Sequence, residues 1–421
     1  MKKRILSGSM ALISAVAMSL TTACSGTGAS GEKAVTGDTV KIGWIHDLTG
    51  NNAGSSAVVS TAIEMATEDI NARGGVLGKK LEVVKKDGAS NTQNYSDAAN
   101  ELAYNSDVVA VFSSGTSASR EAIRGTFEEA KLPYFYSSLY EGGVASDYNI
   151  CTGQTPEQNV LPILEYIKEN DLGTEIYLVA ADYNFGQISG EWLTKYAEEM
   201  DFEIVGSEYI PLDVTQYGST ITNIIDSGAE IVWYDLVGSA ALSFYEQYYN
   251  ATSGLDRDIL LTGGTPLISG ELNSVDPKYL EGIVVCSVYF EGIIPEAEEF
   301  EKRYYEKNST GITDAAITAY ASMMMWANAC EIAGSFDSDA VMNAINSGKV
   351  SGESGIGSSI SIDPKQHHCD FNMYLCRVGT DKKMELIETF EDVKPTYLSS
   401  IGVDLSTLGS APNKQFTPLD E

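Results

Sequence analysis

The chain is 421 residues long, 43% hydrophobic and 20% charged, which is enough for two or three domains with cores of their own. Without Lys2, Lys3 and Arg4 at its start it carries 24 basic against 59 acidic side chains, a formal charge of −35, and this excludes nucleic acid and adhesion to anionic lipid through the protein surface. Apart from Cys24, the cysteines Cys151, Cys286, Cys330, Cys369 and Cys376 are odd in number and irregular in spacing, so they make neither a disulfide framework nor a zinc motif and read as buried thiols.

Residues 1–23 read as an export signal: three positive side chains, an apolar run over 5–20 that is shorter than a membrane span of about 20 residues, then small residues. The letters Thr21-Thr22-Ala23-Cys24 resemble a bacterial lipobox, with Thr21 where that pattern has leucine. The resemblance implies a lipid on Cys24 and an anchor in the cell membrane; the alternative is an ordinary cleaved signal. Residues 24–38 form a Gly/Ser-rich tether whose r.m.s. span is roughly 20 Å.

Residues 40–46 (VKIGWIH) predict a first strand. The segment 57–72 has Val59, Ala62, Ile63, Ala66 and Ile70 on one face and the stop signal Gly74-Gly75, which makes it a helix. A second strand covers 81–87, and Asn91 caps a helix carrying Tyr95, Ala98, Leu102 and Ala103. A short apolar run, Val108, Val109, Val111 and Phe112, then breaks into Ser113-Ser114-Gly115-Thr116-Ser117. Ser117 is the expected N-cap of a helix with Ile123, Phe127 and Ala130 at helical spacing. That turn lays hydroxyls and helix N–H groups at a strand's carboxyl end, where open α/β sheets bind ligands. A strand over 133–138 ends at the same edge and delivers Tyr140-Glu141-Gly142.

The alternation then restarts. Residues 150–153 are extended, Thr155 caps a helix with Pro156 at its first position, and strand and helix alternate from 176 to 262. An apolar run at 283–290 leads to helices near 296–307, 315–333 and 338–347. Strands at 360–362, 371–378 and 384–389 follow, and the tail beyond Lys394, poor in apolar clusters, either wraps or frays. The fold class is α/β, with two doubly wound parallel-sheet lobes and right-handed crossovers. Catalysis is not expected. The three histidines, His46, His367 and His368, stand in no nucleophile elbow or phosphate loop. His367-His368-Cys369-Asp370 reads as a turn entering a strand, because adjacent strand side chains diverge too far to share a metal. Neither cofactor nor metal is expected.

Leu48-Thr49-Gly50, the run GGVLGKK at 74–80, Asp87-Gly88-Ala89-Ser90, Thr116-Ser117-Ala118-Ser119-Arg120, Tyr140-Glu141-Gly142 and Asp182-Tyr183 stand in the order and spacing of a known family. Together they resemble the type I solute-binding lipoproteins of ABC importers, within the branched-chain amino acid binding superfamily and nearest its urea and short-chain amide branch. The resemblance covers nearly all of 40–391. It implies two lobes joined by a three-strand hinge: lobe one at 39–151 and 289–348, lobe two at 152–288 and 349–395, and a tail at 396–421. The crossings would fall near 151–153, 286–289 and 347–355, with Cys151 and Cys286 on adjacent hinge strands, either as unpaired thiols or as a disulfide.

The implied function is capture of a small polar solute (urea, a short-chain amide or an amino-acid-like molecule) by lobe closure, and its delivery to ABC permease subunits in the membrane. The alternatives are a branched-chain or other amino acid, or an amide sensor signalling through a partner. Lobe one would supply Ser117, Tyr136, Ser138 and Tyr140, and lobe two Tyr183, Phe185 and Asp235. Ser117 matches a serine that bonds the ligand's amide or carboxylate end, its plainer role being a helix cap. Tyr136 and Ser138 would wall the pocket, while the Tyr140 loop serves pocket or scaffold equally. Tyr183 would close over the ligand, and Phe185 stands where amide binders have tyrosine. Asp235, buried in a closed cleft, needs a cation, whether Arg120, Arg124, a lysine or a ligand ammonium or amidinium. Gly115 replaces an aromatic of the branch, which implies room for a ligand larger than urea.

Overall fold

The computed structural model describes residues 35–50, 52–265, 275–380 and 383–419. The export signal, Cys24 and the tether up to residue 34 lie outside them. One 14-stranded sheet carries both expected doubly wound units. Its first half has the order β2 (Lys80–Asp87), β1 (Thr39–His46), β3 (Val111–Ser113), β4 (Tyr134–Tyr136) and β6 (Asn149–Cys151), all parallel. Its second half runs β11 (Val284–Ser287), β10 (Leu260–Thr262), β9 (Ile231–Asp235), β7 (Glu175–Ala181) and β8 (Glu203–Ile210), again parallel.

Helices α1 (Ala53–Ala72), α2 (Thr92–Tyr104) and α3 (Ser117–Glu129) connect the first half. Helices α4 (Pro156–Glu169), α5 (Asn184–Glu199), α6 (Gly218–Ser227) and α7 (Ser239–Thr252) connect the second. Each buries one stripe, as α1 does with Val59, Ala62, Ile63, Ala66 and Ile70. The helix Asp314–Ala333 differs: every residue from Ala316 to Trp326 is buried, because α1, the helix Ser338–Asn346 and β12 (Ser351–Glu353) all pack on it. Thr155 and Pro156 open α4 as expected, with Gln158 completing a capping box.

The halves are joined through β14 (His368–Val378). It starts parallel to β6, with His368 opposite Cys151, and ends antiparallel to β11, from Tyr374 opposite Ser287 to Arg377 opposite Val284. The third passage between the halves therefore runs on β14, later than the 347–355 expected. Residues 351–353 instead pair back on β13 (Ser359–Asp363), and the Gly352 backbone lies on Ala321 and Met325 of the helix Asp314–Ala333. The expected adjacency of Cys151 and Cys286 fails for the same reason. Cys286 faces Leu375, so β14 separates the two thiols, with seven residues or about 23 Å of strand between their partners. All five described cysteines are free and buried. The first two passages are tied side to side: Ser287 Oγ and the Val288 N–H donate to Gln154 Oε1 at 3.2 and 3.0 Å.

The tail wraps. Leu398 and Leu405 are buried, and β16 (Lys414–Gln415) pairs antiparallel with β5 (Val144–Ala145). The apolar centre beneath β3 and β4 is aromatic: Phe112 stacks on Phe135 at 5.0 Å between centroids and meets Trp326 edge-on at 6.2 Å. Phe112→Ala leaves a cavity against both rings and is expected to cost about 3–5 kcal/mol, to be read as a lowered urea midpoint at unchanged slope.

Candidate ligand cleft

The carboxyl ends of β3 and β4 form one wall. Two successive hydroxyl residues, Thr116 and Ser117, compete for the cap of α3, and Thr116 takes it, accepting from the Ser119 N–H at 3.2 Å. The expectation that Ser117 is the cap is corrected accordingly. Ser117 is the first helical residue, 2% exposed, and its Oγ donates to Glu141 Oε2 at 2.6 Å. Ser114 and Ser138 share a hydroxyl hydrogen bond of 2.7 Å, and Tyr136 donates to the Gly115 carbonyl at 2.7 Å. Gly115 gives no room to a ligand, contrary to expectation. A Cβ there would come within 2.6 Å of the Ser119 and Tyr95 hydroxyl oxygens, so the glycine serves the packing of α2 against α3.

Behind this wall lies an ion pair with no solvent exposure on either side chain, Arg120 Nη2 to Glu141 Oε1 at 2.7 Å. The guanidinium lies between the Tyr136 and Tyr140 rings, 5.1 and 4.6 Å from their centroids. Gln415 donates to the same Glu141 oxygen at 2.7 Å. Burial pushes the Glu141 carboxyl up, but Arg120, Ser117 and Gln415 outweigh it and hold the group below the usual carboxylate range. Tyr140, 1% exposed, bonds His368 through its hydroxyl, so both it and Glu141 are built into the scaffold. His367 is likewise committed, to the Ser146 carbonyl at 3.0 Å and to Asn346 at 2.7 Å, and it sits in the expected turn before β14.

The opposite wall comes from the ends of β7 and β9. Tyr183 precedes α5, and burial raises its phenol well above the ordinary value, with Tyr136, Glu141, Arg120 and Asp235 near enough to act on it. Phe185, 5% exposed, lies 5.9 Å from the Tyr183 ring. Asn184 Nδ2 reaches Glu141 Oε1 at 3.5 Å, and Trp192 Nε1 donates to the Glu141 carbonyl at 2.8 Å. The two walls thus meet on one residue.

Asp235 ends β9 and is 2% exposed. Trp233 Nε1 and the Gly264 N–H donate to it at 3.2 and 3.1 Å. Gly264 is required by this approach, since a Cβ would come within 2.8 Å of Asp235 Oδ1. Burial lifts the carboxyl to about 7 against the opposing effect of Trp233, Gly264 and Thr265. Of the protein cations weighed for it, Arg120 pairs with Glu141 and Glu121 and Arg124 with Glu121, and Asp235 forms no ion pair among the described residues.

Of the seven expected side chains, Tyr136, Ser138, Tyr183, Phe185 and Asp235 stand at or just after the carboxyl ends of their strands, whereas Ser117 and Tyr140 are bound into the buried layer around Glu141 and His368. Sequence reading gave Glu141 a loop-holding role but did not foresee Asn184, Trp192 or Gln415 as its partners. The Glu-Gly-Gly run after an aromatic was the available signal for the hub; nothing in the polar letters of 413–415 marked theirs.

Two outcomes follow for stability. Arg120→Met strands a buried Glu141 carboxylate and is expected to cost about 3–5 kcal/mol by chemical denaturation. Asp235 binds its proton more tightly folded than unfolded, so its contribution is full below pH 4 and is lost as pH rises through about 7. At about 1.36 kcal/mol per pH unit, wild type should lose about 4 kcal/mol relative to Asp235→Asn between pH 4 and pH 8, measured as the difference of their denaturation free energies.

Residues 39–383 match the model of a family described as periplasmic binding protein. A Leu/Ile/Val-binding protein homolog of Brucella melitensis is 22% identical over 344 residues, covering 77% of this chain and 85% of that one. An amino acid binding protein of Pseudomonas aeruginosa is 23% identical over 307 residues, covering 71% and 80%. Among solved structures, a periplasmic binding protein of Burkholderia mallei superposes with a TM-score of 0.77 at 18% identity, covering 88% and 99%. LivJ of Streptococcus pneumoniae in complex with isoleucine gives 0.72 at 22% identity, covering 85% and 100%. With its two parallel half-sheets and a family match spanning both of them, the chain belongs to the periplasmic binding proteins.

Proposed function

We propose that the chain is the extracytoplasmic substrate-binding lipoprotein of an ABC importer, held to the membrane by a lipid on Cys24, and that it captures a small polar solute bearing a positive group, such as an amino acid. Capture is by closure of two lobes. Lobe one is 39–151 with 289–348, the β12–β13 hairpin lying on it, and lobe two is 152–288 with the end of β14 and the strand Met384–Val393. Transfer then takes place at permease subunits. Ser114, Ser138 and Tyr136 form one jaw, and Tyr183, Phe185 and Asp235 the other. Only contacts completed in the closed form shift the equilibrium toward it, which is why groups from both jaws are needed.

The observation that carries this reading is Asp235, a buried carboxyl held by neutral donors and in no ion pair among the described residues, close enough to Tyr183 to act on its phenol. A ligand ammonium supplies the missing charge and draws the carboxyl back to its ionised form. The names of the Brucella and Pseudomonas relatives support an amino acid. A second reading has its own support: with its proton held to about pH 7, Asp235 can donate to the oxygen of a neutral amide or urea, as the resemblance to the amide branch suggests.

A thermal-shift screen of isoleucine, leucine, agmatine, guanidine, urea and acetamide tests both, since a ligand at 100 times its Kd adds about 2.7 kcal/mol to stability. Asp235→Asn is expected to weaken an amine or guanidine ligand by about 10- to 100-fold and a neutral amide by far less. Equal loss for the two classes in titration calorimetry would assign Asp235 to the scaffold.

A further inference from the structure

The tail lies beyond the span matched by the family, yet it touches both sides of the closure contact. Its first part docks on the second half of the molecule. The Thr396 N–H and hydroxyl donate to Glu157 of α4 at 2.9 and 2.7 Å, and the Tyr397 ring meets Trp192 of α5 edge-on at 4.6 Å. Its later part docks on the first half. The Gly409 N–H donates to Asp147 at 3.0 Å, Arg124 donates to Asn413 at 2.6 Å, and β16 pairs with β5. The Phe416 N–H donates to the Gly143 carbonyl at 2.8 Å, where a side chain on Gly143 would overlap the Phe416 carbonyl. The Tyr397 hydroxyl then bonds the Thr417 carbonyl and closes the tail on itself.

Trp192 Nε1 to the Glu141 carbonyl is a hydrogen bond between the two halves. Tyr397 packs on its donor, and Gln415 bonds its acceptor residue, at Glu141 Oε1 and at the neighbouring Gly142 carbonyl, at 2.7 and 3.0 Å. Opening the halves must break Trp192 from Glu141, and with it either Tyr397 from Trp192 or Gln415 from Glu141. We propose that residues 396–417 are an interlobe strap that stabilises the closed form, with Gln415 as its positioning residue on the Glu141–Arg120 pair. The strap rests on the closure reading above, and it assigns to the tail control over how far and how often the cleft opens.

The experiment uses the full chain with Gln415→Ala, a chain ending at Ser410, and wild type, all without added ligand. Hydrogen exchange is followed at the Trp192 indole and at the amides of Val144 and Ala145, and the radius of gyration is measured by solution scattering. Loss of one hydrogen bond to a charged partner is worth about tenfold. Gln415→Ala should therefore speed Trp192 indole exchange by about tenfold while the amides of β7 and β9 keep wild-type protection. The shortened chain should do the same and also show a larger radius of gyration. Wild-type indole exchange in Gln415→Ala, or a uniform rise across β7 and β9 as well, overturns the strap. A shortened chain that fails to fold leaves the decision to Gln415→Ala. Isoleucine and acetamide are titrated separately; binding of neither counts against the importer reading alone, because the strap measurements contain no ligand.

Discussion

A carboxylate and a guanidinium, both out of reach of water, set the geometry at the centre of this protein. Burying such a pair is unfavourable unless its lone pairs and protons find partners. Here Glu141 accepts from Arg120, Ser117 and Gln415, and two tyrosine rings cover the guanidinium. These partners come from three stretches of chain: the first turn of α3, β4 with the loop after it, and the tail. Because Asn184 and Trp192 approach the same residue from the other half of the sheet, the two walls are arranged around one fully buried charge. The serine that sequence matching offers to a ligand is already donating to that charge.

Much of the architecture was legible because it depends on period and punctuation. Apolar stripes at helical spacing placed α1, α2 and α4, Asn91 and Thr155 marked two helix starts, and short apolar runs placed the strands. The failures have particular causes. Thr116 and Ser117 carry equivalent capping chemistry, and only backbone conformation decides between them. Gly115 looked like vacated ligand space because a sequence cannot show which way a missing side chain would have pointed. The tail was unreadable because it binds through backbone groups, Asn413, Gln415 and single aromatics, none of which leaves a periodic trace. Of the candidate cleft, the strand ends carrying Tyr183 and Asp235 were legible, while the pairing of Arg120 and Arg124 with carboxylates other than Asp235 was a property of three dimensions.

The hinge follows the same logic of long-range pairing. β14 is shared by both halves: its first residue completes the β6 edge, and Tyr374 to Arg377 complete the β11 edge. A single strand is thus shared between the two parallel half-sheets, and Gln154 ties the first two passages together by bonding across them. Gln158, next in line, donates to the Cys369 and Val393 carbonyls at 2.9 Å each and fixes the third passage to the start of α4. Rigid lobes and a short set of hydrogen-bonded crossings are what hinge closure requires.

The buried thiols have a practical corollary. Cys151 is pushed up to about 11 by burial, and the other four described cysteines are shifted in the same direction for the same cause. A thiol that neither ionises nor meets solvent reacts slowly with maleimides or peroxide. These five therefore give an almost silent background for chemical labelling, and one cysteine introduced on the surface of each half can carry a fluorophore pair with the five described cysteines left in place.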